Sequence, residues 1–340
     1  MRAVAPFAAP LPPGSWRMPR PYGWRSLVVL GLAVLLLWKS GNDVEMDRAT
    51  ALTAEALGTA VGVPQESQVA KGLGTIVSRM FPPQITEVTP VERIPDFDRE
   101  ALPWFTHLEM RVVTVRTLDP EQLQLVSRSE RTEVLVEPFG YVLTVLAKLV
   151  ETIEIALWGT LLAVCIGFPL ALLGARNLSP HPVLVVGARA LVSLLRAIPE
   201  LLLALVLVLA YGFGPIAGTL ALALHGAGFL GKFYAEDIEN ADRKPQEALT
   251  VIGANRLMVL RFAILPQVLP QYVAYTLYVL DRNVRMAAVI GLVGAGGIGL
   301  ELKGRYDTYQ FAHVGTILIA IFLFVFALDQ VSAKIRKACL

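Results

Sequence analysis

Apolar residues gather in six long blocks separated by short basic joints and by one long polar stretch. The blocks cover 26–38, about 151–175, about 182–211, about 215–234, roughly 264–293 and about 311–331. A helix needs about 20 apolar residues to cross a hydrocarbon core, and the last five blocks reach that length. The first, Ser26 to Trp38, reaches it once Tyr22, Gly23 and Trp24 are added, with aromatic rings at the interface. Basic residues precede it, but the leader is long and Pro-rich and no A-x-A pattern follows Trp38. It therefore reads as an uncleaved anchor rather than a signal peptide. The third block is interrupted by Arg189, Arg196, Pro199 and Glu200. The pattern predicts an all-α polytopic membrane protein with about six transmembrane helices.

Composition agrees. Of 340 residues, 55% are hydrophobic and only 17% charged, against about 25% charged in soluble domains. Two cysteines exclude a disulfide scaffold. Charge then sets orientation. Residues 41–149 carry 16 acidic and 10 basic side chains, against 12 and 20 in the rest of the chain. The short flanks decide more than that long segment does. Arg17, Arg20 and Arg25, then Arg176, then Arg243, Lys244, Arg256 and Arg261, then Lys334, Arg336 and Lys337 all fall on one side of six spans. Both termini are expected in the cytoplasm.

The expected layout is a cytoplasmic tail over 1–25, an anchor over 26–38 and an extracytoplasmic segment over 39–149. A transmembrane domain over 150–335 and a tail over 336–340 follow. In the extracytoplasmic segment, residues 48–80 have helical stretches with an apolar period through Ala54, Leu57 and Val61, broken at Phe81-Pro82-Pro83. Pro90 to Pro95 reads as irregular. His107 to Thr117 alternates as a strand, with Leu108, Met110, Val112 and Val115 as inward candidates, and Thr132 to Val136 reads as a second strand. A small α+β insert over 84–137 and a solvated loop fit these signals equally.

Two motifs point away from their usual chemistry. Gly294, Gly296 and Gly299 match G-x-G-x-x-G, but a membrane span follows where repeated βα units should stand. Gly226, Gly231 and Lys232 nearly complete a phosphate-binding loop, yet position 233 is Phe and the run is apolar. The small residues Gly218, Ala221, Gly226 and Gly228 suit helix packing in lipid. His107, His181, His225 and His313 are scattered without metal-ligand spacing. No catalytic residue, cofactor site or metal site is expected on this chain. An intramembrane enzyme would need a Ser, His or acidic pair at facing depths, and the sequence offers no convincing pair.

The segment Glu236 to Pro266 is polar at first, then helical with a bend. Pro245 at the first helical position would put Glu247 in the first turn, where a carboxylate suits the macrodipole. Ala248, Leu249, Val251 and Ile252 follow as an apolar face, and Gly253 interrupts. A helix, a Gly-centred turn and a second helix would make a knob on the cytoplasmic surface, or an ordinary connector. Gly253 is expected to need a positive φ or a close helix approach. Within the spans, Arg196 and Glu200 stand at i and i+4 beside Pro199, either as a buried clip or as a gate. Asp281, Arg282, Asn283 and Arg285 sit near the far end of the fifth span, as interfacial cations or as a transient guide for an anion.

Glu247-Ala248, Gly253 and Leu265-Pro266 resemble the coupling motif of ABC-transporter permease subunits, with Leu249 and Ala263 as departures. Residues 151–338 are more specifically similar to the permease of a phosphonate importer. The similarity is carried by Gly159-Thr160-Leu161-Leu162-Ala163, Arg196-Ala197-Ile198-Pro199-Glu200, Gly212-Phe213-Gly214-Pro215, Gly253-Ala254-Asn255, Asn283-Val284-Arg285 and the run Gly291 to Gly299. About 84–137 departs from the family as an extra insert.

The resemblance implies a type I ABC importer permease fold with a coupling loop at 236–266 that docks a cytoplasmic ATPase. Glu247, Ala248, Gly253, Ala254, Leu265 and Pro266 would carry the coupling. Arg196, Glu200, Asn283 and Arg285 would belong to a gate or substrate path. It also implies a second copy of the chain, two ATPase subunits holding ATP and magnesium, and an extracytoplasmic phosphonate-binding protein. The surrounding partner is the phospholipid bilayer, with no role for nucleic acid. Phosphite or another phosphorus oxyanion or ester is the alternative cargo.

Overall fold

The computed structural model describes residues 23–60, 67–95, 97–99, 102, 105–118 and 125–339, with the side chains of 25, 60, 113–130 and 331–339 outside the description. Tyr22, the tail before it and Val61 lie outside the described residues, as do the side chains of Val115, Lys334, Arg336 and Lys337. The chain divides near residue 77 into two compact units.

The amino-terminal unit holds α1 (Trp24–Asp43), α2 (Met46–Ala60) and most of α3 (Gln68–Met80). The anchor expected over 26–38 continues to Asp43, because Lys39 to Asp43 extend the helix without a break. Twenty residues at 1.5 Å each span about 30 Å, enough for a crossing. Leu27, Leu30 and Leu37 are all exposed, as a helix facing lipid requires.

The second unit begins with a three-stranded antiparallel sheet of order β1-β3-β2, formed by β1 (Glu87–Pro90), β2 (His107–Leu118) and β3 (Leu125–Glu137). A short 3₁₀ turn at Val91–Arg93 occupies part of the stretch expected to be irregular. Two expectations need correcting. The second strand covers thirteen residues rather than 132–136, because β2 pairs along it from His107–Val136 to Leu118–Leu125. Met110 and Val112, expected inward, are 65% and 64% exposed. The buried side chains are instead Val134, Leu135 and Val136. They lie on β3, the central strand, which has neighbours on both edges.

Helices make up the rest: α4 (Gly140–Gly174), α5 (Pro182–Ala197), α6 (Glu200–Tyr211), α7 (Pro215–Asn240), α8 (Arg243–Val251), α9 (Arg256–Val259), α10 (Leu265–Gly291), α11 (Gly297–Asp307) and α12 (Phe311–Cys339). A single π turn, Leu260–Ile264, joins α9 to α10. Among the described residues five helical stretches are long and apolar enough to cross a membrane, or six if α5 and α6 count as one broken span. Those two meet at 90°, because Ile198 and Pro199 leave the helix between them. Pro199 also disfavours helical geometry at the residue before it.

The bundle is organised around α7. Its buried row Ala217, Gly218, Ala221, Ala223, Gly226 and Ala227 has almost no side-chain bulk. A Cβ on Gly226 would stand 2.9 Å from that of Ala163 on α4, so the two helices approach through small residues. The glycine run that mimics a nucleotide-binding loop follows a helix, not a strand. Gly294 and Gly296 adopt φ values of +99° and +86° and turn the chain into α11. Two α4 side chains cap that helix: Gly297 N–H donates to Glu151 Oε1 at 3.0 Å, and Ile298 N–H to Thr152 Oγ1 at 2.9 Å.

Candidate functional site

Two regions hold the residues singled out by the sequence. The first is the knob between α7 and α10. Asp242 caps α8 by accepting from Lys244 N–H at 3.1 Å, and its own N–H donates to Gln267 Oε1 at 2.9 Å. Gln246 Nε2 returns to the carbonyls of Ala241 and Asp242, both at 3.1 Å. The cap at Asp242 corrects the expected start: Pro245 is the third helical residue, and Glu247 stands in the second turn rather than the first.

Gly253, at φ +87°, ends α8. Ala254 N–H donates to Leu249 O and Gly253 N–H to Thr250 O, each at 3.0 Å. This is the paired closure of a Schellman motif, whose left-handed residue favours glycine. A Cβ there would meet nothing within 4 Å, so positive φ and not close approach is what the position demands. Asn255 then caps α9, accepting from Met258 N–H at 2.9 Å.

The knob presents an apolar tip. Val251 is 86% exposed, Ile252 77%, Leu257 72% and Phe262 63%. Arg243, Lys244, Arg256 and Arg261 are exposed around it, as are Glu247, Ala248 and Pro266. Ala254, Leu249 and Leu265 are half-buried against the cluster of α4, α7 and α10 side chains that includes Tyr234 and Tyr272. These two rings stack with centroids 3.9 Å apart, and Tyr272 Oη donates to Tyr234 O at 2.7 Å. The knob is thereby fixed to the ends of two spans.

The second region lies among α5, α6, α7 and α10. The expected Arg196–Glu200 pair does not form. The break at Ile198-Pro199 puts the two residues on different helices at 90°, and the i,i+4 relation is lost. Glu200 Oε2 instead accepts from Arg282 Nη2 at 2.5 Å and from His225 Nε2 at 3.0 Å. His225 Nδ1 lies 3.2 Å from Ile198 O. Arg196 rests over the Phe229 ring at 5.7 Å, and Arg282 lies over the same ring at 5.3 Å.

Asn283 is 1% exposed; its amide nitrogen donates to Thr160 Oγ1 at 2.9 Å, and its Oδ1 has no partner among the described residues. Arg285 bonds Asp281 at 2.9 Å and Asp329 at 3.2 Å.

Sequence reasoning missed His225 and Arg282 as members of one cluster. The available signal was a titratable residue inside each of two otherwise apolar spans, which in lipid implies a polar partner. The structure also supplies the acid–His pair that the sequence did not reveal. Its carboxylate is already engaged by Arg282, and among the described residues no hydroxyl or thiol bonds the ring.

Residues 164–334 match the family model described as the binding-protein-dependent transport system inner membrane component. A relative from Stutzerimonas stutzeri, named as a phosphite transport system permease protein HtxE, is 56% identical over 257 residues, covering 76% of this chain and 98% of that one. The phosphate-import permease protein PhnE of Mycolicibacterium smegmatis is 43% identical over 187 residues, 55% of this chain and 35% of that one. The inward-facing MetNI methionine ABC transporter overlays with a TM-score of 0.49 at 22% identity, covering 58% of this chain and 96% of that chain. The chain belongs to the family of binding-protein-dependent transport system inner membrane components. It is a multi-pass permease subunit of the inner membrane.

Proposed function

We propose that this permease passes a phosphorus oxyanion, phosphonate or phosphite, from an extracytoplasmic binding protein to the cytoplasm. Two copies form the pathway, and two ATPase subunits, which hold ATP and magnesium, drive it from the cytoplasmic side. The family's dependence on a binding protein supports the extracytoplasmic partner. The relatives' names, phosphite for HtxE and phosphate import for PhnE, support the cargo class. A phosphonate relative from Escherichia coli adds to that class.

The observation that carries the ATPase partner is the knob. Val251, Ile252 and Leu257, at the end of α8 and in α9, are exposed, and the same two helices and the turn after them expose Arg243, Lys244, Arg256 and Arg261. An apolar tip with a basic rim suits insertion into an apolar groove edged by carboxylates. Glu247, Ala248, Gly253, Ala254, Leu265 and Pro266 would make or support that contact.

The test is copurification of the chain with its ATPase and binding protein, followed by uptake into vesicles. Phosphite, methylphosphonate, phosphate and sulfate compete in one panel. The expected result is ATP-dependent uptake inhibited by the phosphorus oxyanions and not by sulfate. Equal inhibition by sulfate would remove the phosphorus assignment while leaving the transport assignment in place.

A further inference from the structure

The charges inside the bundle are unevenly paired. Arg282 has Glu200, and Arg285 has Asp281 and Asp329. Arg196 makes no ion pair among the described residues and is only half-buried. A guanidinium within a membrane span is costly unless it faces a cavity or a counter-ion. A phenyl ring compensates only part of the lost hydration. Arg196 is also held in place: a Cβ on Gly228 would meet Arg196 Cγ at 2.9 Å, so its stem packs directly across the α7 backbone.

We propose that Arg196, which shares the Phe229 ring with Arg282, is the point where the phosphorus oxyanion is held in transit. Glu200 serves there as a resident anion that competes for Arg282. The idea rests on the cargo class proposed above and adds a place within the membrane.

Three features support it. Glu200, Arg282 and Arg196 together carry one excess positive charge, which matches a singly charged oxyanion. His225 faces two oxygens at the same place, Glu200 Oε2 at 3.0 Å and Ile198 O at 3.2 Å. Planar guanidinium forks suit tetrahedral oxyanions. Finally, the site is built to be weak. A substrate recruiting Arg282 must displace Glu200, and weak binding permits release.

An aromatic lane leads from the site toward the knob. Phe229 meets Phe233 at 4.8 Å between centroids, and Phe233 stacks on Tyr275 at 5.1 Å. All three side chains are half-buried. The two phenylalanines offer an anion no hydrogen-bond donor once it leaves the arginines, and the Tyr275 hydroxyl offers a single neutral one.

The test uses the whole complex in vesicles, with phosphite and methylphosphonate as cargo. The readout is cargo imported per ATP hydrolysed, which separates passage from docking and from subunit yield. Arg196→Gln should lower that ratio at least about tenfold, the scale of losing one charge-assisted contact. Lys232→Gln, one turn from Phe229 and paired with Glu236, should leave it within about twofold, as expected for a surface pair. A second variant guards against a folding defect. Arg196→Cys, in a chain lacking Cys165 and Cys339, is treated after assembly with thiol reagents. A cationic aminoethyl reagent should restore the ratio, and a neutral one of similar size should not. An unchanged ratio in Arg196→Gln, equal rescue by the neutral reagent, or failure of both variants to assemble would overturn the site. A native complex that imports neither anion would overturn the cargo reading and the site together.

Discussion

The knob and the buried charge cluster are built by opposite rules. In the knob, Asp242, Gln246, Gly253 and Asn255 close their hydrogen bonds within five residues of themselves. Only the Asp242–Gln267 bond reaches further, to the first turn of α10. In the cluster, the Glu200–Arg282 bond joins residues 82 apart, and the Asn283–Thr160 bond joins residues 123 apart. One region is a local object on the surface of the bundle. The other exists only once α4, α5, α6, α7 and α10 have packed. A defect in the first should leave the membrane bundle standing, and a defect in the second should not.

The largest test of that contrast is Arg282→Met. It leaves Glu200 with His225 alone in a site that is mostly shielded from water. Removing one member of a buried pair costs about 3–5 kcal/mol. Lower accumulation and a lower melting midpoint of the purified complex are expected, with partial recovery in Arg282→Met combined with Glu200→Gln. A single variant that melts with the native protein would show that the cluster does not support the bundle.

Gly253→Val comes next. A branched side chain at φ +87° costs about 1–3 kcal/mol, but the strain falls in an exposed turn. Insertion and bundle stability should persist while the ATPase no longer copurifies. Glu247→Lys should behave likewise and more weakly, because it reverses a charge on an exposed face without straining the backbone. Full uptake and full ATPase stoichiometry in both would remove the coupling role from this loop.

Thr160→Val is a smaller perturbation of the cluster. It removes the acceptor for Asn283 Nδ2 and should cost about 1 kcal/mol, the range of single polar contacts between membrane helices. Its expected signature is reduced stability with the ATPase still bound. Loss of the ATPase instead would join the two regions that the structure separates.

The smallest effect is on topology, where no loss of function is sought. With Cys165 and Cys339 replaced, Thr53→Cys and Thr250→Cys place thiols at exposed positions of α2 and α8. An impermeant reagent on intact cells should label the first and spare the second. Labelling of Thr250→Cys would put the knob on the wrong side of the membrane for an ATPase. Ser67 is unsuitable as a probe, since it is 1% exposed.

Much of the knob was legible because its signals are local. Gly253 signals a turn that needs positive φ or close approach; the structure chose positive φ and added Asn255 as the cap of the helix that begins at Arg256. The start of α8 was misjudged by two residues because Asp242 and Pro245 compete as start signals. The aspartate offers a carboxylate to a free N–H, whereas proline merely tolerates the first turn. In the insert, alternation identified β2, yet its described side chains, 107–112, are exposed or half-buried on both faces. Burial falls on the consecutive residues Val134, Leu135 and Val136 of β3, whose place at the centre of the sheet only the fold decided.

The amino-acid sequence by itself determined which apolar stretches are long enough to cross a membrane and most of the helix-turn-helix of the knob. Each of those depends on interactions with solvent or lipid, or with neighbours a few residues away. Only the tertiary structure decided who partners whom inside the bundle. The i,i+4 spacing of Arg196 and Glu200 suggested a clip, but the 90° break at Ile198-Pro199 turned Glu200 toward His225 and Arg282. The rotation of each helix about its axis is set by close packing through small residues such as Gly226 against Ala163. A charge in lipid must find whatever partner that packing brings within reach.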